Sequence, residues 1–294
     1  MTNNPHLVEI IEALADISGQ HARTSSIYKL LEKVTAQALR ESAFTRTENA
    51  RQDLGAFGTI ELPYEKMGSV DTLDLMVTDE LMIFAFYLRN KLLYKRAADI
   101  GANLGLHSLL MARIGWDVTA YEPDPNHAQL LERNLRLNNV ENVTLVRSAV
   151  SDRSGEMEFV RVLGNTTSSH LSGAKLTPYG ELERFPVRVV SIREIMASVD
   201  FVKMDAEGQE RVIILGTTAE DWANTDMMVE VGSSENAAAI YHHAKSIGLN
   251  VFTQKIGWKP VREVHQMPTS YREGSVFFSR KTIMNWSGSE TDSN

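Results

Sequence analysis

Asp99-Ile100-Gly101-Ala102-Asn103-Leu104-Gly105 follows a short apolar stretch, Ala97 to Ile100, and precedes an apolar helical pattern, Leu106 to Ile114, that Gly115 stops. A strand that meets a helix through a glycine-rich turn opens a doubly wound sheet. Ligands bind there, at the carboxyl ends of the strands beside the topological switch point. Glycines in the turn let a ligand approach the backbone and let helix and strand pack closely. A dinucleotide fingerprint needs glycine at 103 and 106, where this chain has Asn103 and Leu106. The nicotinamide reading therefore fails at its most diagnostic positions. Asp99 suits a cationic amino-acid group better than a pyrophosphate.

Downstream, the pattern repeats. Val118 to Tyr121 reads as a strand ending at Glu122. Asp124 and Pro125 form an N-cap and first-position pair for a helix running to Leu137, and Val143 to Val146 is a third strand. Such alternation predicts an α/β fold, a mostly parallel sheet with helices on both faces. Glu122, at its strand end, can accept hydrogen bonds from ribose hydroxyls. Ser148-Ala149-Val150-Ser151-Asp152 is placed to line an adenine. Taken singly, the turn reads as only a tight turn and Glu122 as only a helix cap. Their order on consecutive strand ends points to an adenosyl ligand held by Asp99, Gly101, Asn103, Gly105, Glu122, Ser148 and Ala149.

Glu156 to Val162 and Phe185 to Val190 then read as strands around a long Gly/Ser/Thr-rich loop, Gly164 to Gly180. A loop this long inside a domain is usually functional or mobile. The alternation resumes with a strand at Phe201 to Met204, a helix at Glu207 to Leu215, a strand at Met227 to Val231 and a helix at Asn236 to Ile247. Val251 to Gln254 and Ser275 to Phe278 supply two final strands.

Upstream, Leu7, Ile10, Ile11 and Leu14 share one helical face, as do Ile27, Leu30, Leu31, Val34 and Ala38. Gly55, Gly58 and Pro63 punctuate a polar connector. A third helix starts near Thr78, with Asp79 and Glu80 in its first turn, and is apolar on almost every face. The chain divides into three parts: residues 1–95 as a helical cap or dimerisation region, 96–284 as the catalytic domain, and 285–294 as a disordered tail.

Composition narrows the function. Of 294 residues 43% are hydrophobic and 23% charged, which suits a packed globular protein. There is no cysteine, so disulfides, thiolate metal sites and cysteine nucleophiles are excluded. A net charge of -8 disfavours a phosphate-tracking surface, and with it nucleic acid as a partner. The longest apolar run, Leu81 to Leu88, is too short to span a membrane, and the first 17 residues do not read as a secretory signal. A cytoplasmic location is expected. No H-E-x-x-H or related spacing exists, so no metal site is expected.

Four stretches together resemble the FkbM-type methyltransferases: Asp99 to Gly105, Tyr121-Glu122-Pro123, Ala149 to Gly155, and Lys203-Met204-Asp205-Ala206-Glu207-Gly208-Gln209-Glu210. The last is the family-specific one, and the resemblance covers about residues 96 to 280. It implies a seven-stranded Rossmann-like sheet, S-adenosylmethionine as cofactor, and methylation of hydroxyls on sugars or small natural products. One departure matters. Family members often carry a histidine two residues after the acid that ends the fifth strand. Here the stretch is Glu230-Val231-Gly232, so no role of that histidine carries over.

Methyl transfer to a hydroxyl needs alignment and removal of a proton. Candidates on the carboxyl edge are Asp205 (also beside the cofactor), Glu207 and Glu230, with His170 on the long loop able to close over the site. Glu207 and Glu210 could instead simply favour a helix dipole, Glu210 could be structural, and His170 could be solvated. Asp205 and Glu230 could hold magnesium, but only two ligands are visible and Val231 cannot coordinate, which favours a metal-free site. N-methylation of a small metabolite and a non-catalytic S-adenosylmethionine-binding module are the competing functions.

Overall fold

The computed structural model describes residues 6–174, 180–284 and 286. Helices α1 (His6–Asp16) and α2 (Ser26–Glu41) open the chain, followed by a hairpin of β1 (Arg51–Asp53) and β2 (Thr59–Glu61). The hairpin takes the place of the predicted connector. Helix α3 (Thr78–Arg89) leads into β3 (Arg96–Ile100), α4 (Leu106–Arg113), β4 (Asp117–Tyr121), α5 (Pro125–Leu137) and β5 (Val143–Val146). Then come β6 (Ala149–Ser151), β7 (Gly155–Val162), β8 (His170–Leu171), β9 (Leu182–Ser191) and α6 (Ile192–Met196). The chain continues through β10 (Phe201–Met204), α7 (Glu210–Leu215), β11 (Asp226–Glu230), α8 (Ser234–Ser246), β12 (Asn250–Thr253), β13 (Lys259–Pro260) and β14 (Ser275–Ser279).

Among the described residues the main sheet runs β13-β12-β14-β11-β10-β3-β4-β5. Its five strands from β11 to β5 are parallel, and β14 enters antiparallel between β11 and β12. The short β13 extends the expected seven strands by one. The switch point lies between β3 and β10, where the chain leaves for β4 on one side and returns on the other. A second sheet, β6-β9-β7-β8, fills the break in the alternation. A buried ion pair ties it to the main sheet: Arg161 of β7 donates Nε and Nη2 to Asp124, the N-cap of α5, at 2.7 Å each.

The pleat sorts each strand between two cores. Ala97 and Phe201 face α1 to α5, while Ala98 and Val202 face α6 to α8. Leu7, Phe86, Leu106, Phe201 and Phe277 belong to one continuous cluster, so packing does not break at residue 95. The predicted face of α1 is wholly buried. The face of α2 is only partly the predicted one: Ala38 is buried and Leu31 packs half-buried on the core, but Ile27, Leu30 and Val34 are exposed, while Tyr28, Thr35 and Leu39 are buried. At 100° per residue the inward face is rotated by roughly 70°. The cause is polar, because Tyr28 Oη donates to the buried carboxylate of Asp79 at 3.0 Å. At the other end of the chain, Trp286 is buried against His21, Phe86 and Trp258, contrary to its place in a disordered tail. The rest of that tail lies outside the described residues. Among the described residues no helix is long and apolar enough to cross a membrane.

Deleting residues 1–90 strips the cover from Phe201, Trp116 and Phe277 on the main sheet. The truncated protein is expected to be insoluble or unable to respond to S-adenosylhomocysteine in a thermal-shift assay. A soluble, folded, responsive truncation would make the region an independent appendage.

Candidate active site

A cavity of about 280 Å³ opens at the carboxyl edge of the main sheet over the β3/β10 switch point. The turn after β3 forms its floor. Gly101 has φ +74°, and a Cβ there would lie 1.9 Å from the carbonyl oxygen of Asp205. Only glycine lets the two strand ends meet. Asn103 has φ +52°, a left-handed conformation that asparagine tolerates, so it serves where the dinucleotide pattern would need glycine. Its N–H donates to Glu122 Oε2 at 2.8 Å, and the N–H of Asp124 donates to Oε1 at 2.8 Å. Glu122 is buried at the end of β4, and burial pushes its carboxyl up to about 8 against those two donors, with Asp124 and Asp99 adding to the rise.

Glu122, Ser148, Ala149, Gly101 and Asn103 all line the cavity. Asp99 and Gly105 do not. Asp99 is wholly buried, its Oδ2 accepting from Ser108 Oγ at 2.6 Å and its Oδ1 without a hydrogen-bond partner. At Gly105 a Cβ would lie 2.6 Å from Cγ of Leu131, so this glycine serves the packing of α4 on α5.

At the other end of the cavity stand Asp205, Glu207 and Glu230. Asp205 follows β10 and Glu230 ends β11, as expected. Glu207 does not begin a helix. It sits at φ +47°, and α7 starts only at Glu210. Glu210 is structural: buried, it accepts from the N–H groups of Ala206 and Gly208 at 3.1 Å each and so holds the turn that presents Glu207. Burial lifts its carboxyl to about 7. His170 is buried in the cavity roof on β8, where its Nδ1–H donates to the carbonyl of Ser168 at 2.9 Å. In the neutral ring this makes Nε2 the acceptor nitrogen.

Several functional neighbours escaped the sequence reading. Lys203 is buried in β10, in register with Asp99, and its Nζ lies 4.0 Å from Asp205 Oδ2. Burial alone would lower its pKa, but Asp205, Asp99, Glu80 and Glu230 outweigh it and hold it at about 12. Glu80 of α3 lines the cavity and meets His107 Nε2 at 3.0 Å, while Tyr87 Oη is 2.9 Å from His107 Nδ1. Although burial opposes it, His107 with Lys203 keeps Glu80 below the usual carboxylate range. Glu230 goes the other way. Burial, then Asp205 and Glu80, raise its carboxyl well above that range, against the pull of Lys203. Tyr271 fills the space beside Gly232, where a Cβ would lie 2.2 Å from its ring. His127 closes the adenosyl side, its Nε2 2.8 Å from Thr166 Oγ1. Among the described residues no three His, Asp or Glu side chains converge to hold a metal ion.

A model of the methyltransferase FkbM domain matches residues 99–249, just over half of the chain. The chain belongs to the FkbM methyltransferase family. No curated protein matches it. Solved structures similar to this FkbM protein include precorrin-6y C5,15-methyltransferase from Geobacter metallireducens GS-15, 14% identical, covering 68% of this chain and 86% of that one at a TM-score of 0.37. A putative methyltransferase from Streptococcus mutans, in complex with SAH, is 10% identical and covers 67% and 96% at 0.38. A putative RNA methyltransferase from Pyrococcus horikoshii is 13% identical and covers 86% and 98% at 0.37.

This FkbM protein is an S-adenosylmethionine-dependent methyltransferase. Its residues fit that cofactor. Gly101 and Asn103 line the floor of the cavity, and the Glu122 oxygens keep lone pairs for ribose hydroxyls. S-adenosylhomocysteine is expected to raise the melting temperature by mass action, and NAD to leave it unchanged. Glu122→Ala should shrink that shift. An equal shift with NAD would overturn the cofactor assignment.

Proposed function

We propose that the enzyme methylates a hydroxyl of a sugar, glycan or small natural product, with Glu230 as the acceptor-side base. The observation that carries this reading is the convergence of half-buried Glu230 with Asp205 and Glu80 on one cavity, where desolvation and the two neighbouring charges raise the Glu230 carboxyl. A hydroxyl must lose its proton as it is methylated, and a base works best when its pKa lies near the operating pH. An ordinary surface carboxylate is too weak for this, and burial among like charges is the remedy. S-adenosylmethionine, when bound, supplies the electrophilic methyl group. Asp205 accepts a hydrogen bond from the acceptor and, by its charge, keeps Glu230 basic. Glu207 reaches the same cavity from its left-handed turn and orients further hydroxyls. His170 covers the site, which limits water at the reacting atoms. Asn103 and Glu122 hold the cofactor's amino-acid and ribose parts.

The test is a panel of hydroxyl and amine acceptors read out as S-adenosylhomocysteine release. Hydroxyl acceptors are expected to turn over, with the rate unchanged by EDTA. Turnover of amines alone would make this an N-methyltransferase. No release of S-adenosylhomocysteine with any acceptor of either kind would fit a binding module. If EDTA abolished the rate and magnesium restored it, Asp205 would become a metal ligand.

A further inference from the structure

Gly232 lies two residues beyond Glu230, past the carboxyl end of β11. Its φ lies outside the left-handed region, so its backbone would accept any residue. What excludes a side chain is Tyr271. A Cβ at 232 would lie 2.2 Å from Cζ of that ring, 2.5 Å from Oη and 2.7 Å from Cε1. The phenol end of the ring therefore lies across the strand end. Two residues span at most about 7 Å, so the hydroxyl is close to the edge that Glu230 lines. Its electrostatic neighbours agree. Burial first, then Glu210, Glu207, Asp205 and Glu230, push the phenol above its ordinary range. Three of those four acids, Glu207, Asp205 and Glu230, line the reaction cavity. Tyr271 itself stands just outside the lining, at the rim on the β11 side.

The ring is braced from behind. Tyr271 opens a short turn, Tyr271–Glu273, that leads into β14. In that turn Glu273 accepts from the Thr269 N–H at 2.6 Å and from Lys255 Nζ at 3.1 Å. Yet the tyrosine is 42% exposed, and among the described residues its hydroxyl has no hydrogen-bond partner. It presents an apolar face and a polar tip. Wall and rim are chemically complementary. Ionised Asp205 and Glu207 only accept, so they favour hydroxyl donors, whereas the phenol stays protonated and can donate to an oxygen. Carboxylates on one side and an aromatic face on the other suit a ring that carries hydroxyls at its edge and C–H groups on its faces. An acyclic polyol offers the hydroxyls without the face. The cavity's acids disfavour an anion.

We propose that Tyr271 binds the methyl acceptor: its ring stacks on the apolar face of a neutral pyranose, and its hydroxyl donates to an oxygen beside the hydroxyl held by Asp205 and Glu230. The proposal rests on the hydroxyl-methylation reading and narrows its acceptor to a cyclic, uncharged sugar unit. It also gives Gly232 a purpose, which is to leave room for the ring.

The probe is methyl β-D-glucopyranoside, whose ring faces carry only C–H groups, with D-glucitol as the acyclic control. Binding to the full chain, saturated with S-adenosylhomocysteine, is titrated by saturation-transfer NMR. The glucoside is expected to bind at least about tenfold more tightly than glucitol, with transfer strongest to the C–H protons of one ring face. Tyr271→Phe keeps the ring and should weaken binding by roughly two- to tenfold. Tyr271→Ala should erase both the advantage over glucitol and the preference for one face. Gly232→Ala forces aside a ring that is the free end of an exposed side chain, so it should act like Tyr271→Ala. All three variants should keep the wild-type thermal shift with S-adenosylhomocysteine. Equal binding of the glucoside to wild type and Tyr271→Ala, or no binding to wild type, would overturn the proposal, and Tyr271 would then only plug the space over Gly232. Loss of the thermal shift in all three variants would overturn it too, because Tyr271 would then be structural. The readout is binding, not turnover. Glucoside held on Tyr271, with no hydroxyl acceptor ever releasing S-adenosylhomocysteine, would refute hydroxyl methylation and leave the Tyr271 assignment standing.

Discussion

Glu230→Gln is expected to slow methyl transfer by roughly 10²- to 10⁴-fold while leaving S-adenosylhomocysteine affinity within a few-fold. The change keeps size and hydrogen bonding but removes the proton acceptor. The pH profile gives the sharper signature. The base works only when ionised, so turnover in the wild type should be lost as pH falls through the raised pKa of Glu230 and recover above it. Burial sets that pKa first, then the charges of Asp205 and Glu80. Because Glu230 and Glu80 share the cavity and titrate together, the observed value belongs to that pair. Asp205→Ala should therefore do two things: lose most turnover and move the acid limb to lower pH. The glutamine variant should lose that limb altogether. A glutamine variant retaining more than half of wild-type turnover would move the base elsewhere, to His170 first.

The second large effect is expected at Gly101. Gly101→Ala puts a Cβ 1.9 Å from the Asp205 carbonyl oxygen, in a backbone conformation of φ +74° that alanine resists. Neither atom can yield cheaply. The Asp205 N–H is bonded to the Ile100 carbonyl at 2.9 Å, so the two strand ends are held together from both sides. The melting temperature should fall by roughly 5–15 °C, and the shift with S-adenosylhomocysteine should vanish. Gly105→Ala is the control. Its clash, at 2.6 Å, is with the side chain of Leu131, which can move, so it should cost less and keep some cofactor response. An alanine at 101 that bound S-adenosylhomocysteine normally would show that this close approach does not shape the cofactor floor.

The sheet was legible because its signals are local. Asp124 and Pro125 cap α5 where the sequence places them, and Phe201–Met204 is a strand with the expected bounds. The cofactor wall was legible for the same reason: its residues follow consecutive strand ends. What escaped depends on distant partners. Glu80 in a first helical turn reads as a dipole charge, and nothing nearby announces His107. The inward face of α2 is set by Tyr28 reaching Asp79, a bond that apolar periodicity cannot register. Glu207 lies in a stretch that reads as helix, yet its φ is positive. Lys203 did carry a signal. A lysine inside the apolar strand Phe201–Met204 is a charge where a buried parallel strand should have none, and such a charge needs partners.

The left-handed backbone of Glu207 has a consequence for anyone selecting variants. A non-glycine residue in that region costs about 1–2 kcal/mol. Glycine would relieve the strain and also remove a carboxylate from the cavity wall. A library screened for heat resistance should thus enrich glycine at 207, and the same library screened for product formation should discard it. Codon 207 is where the two selections pull apart.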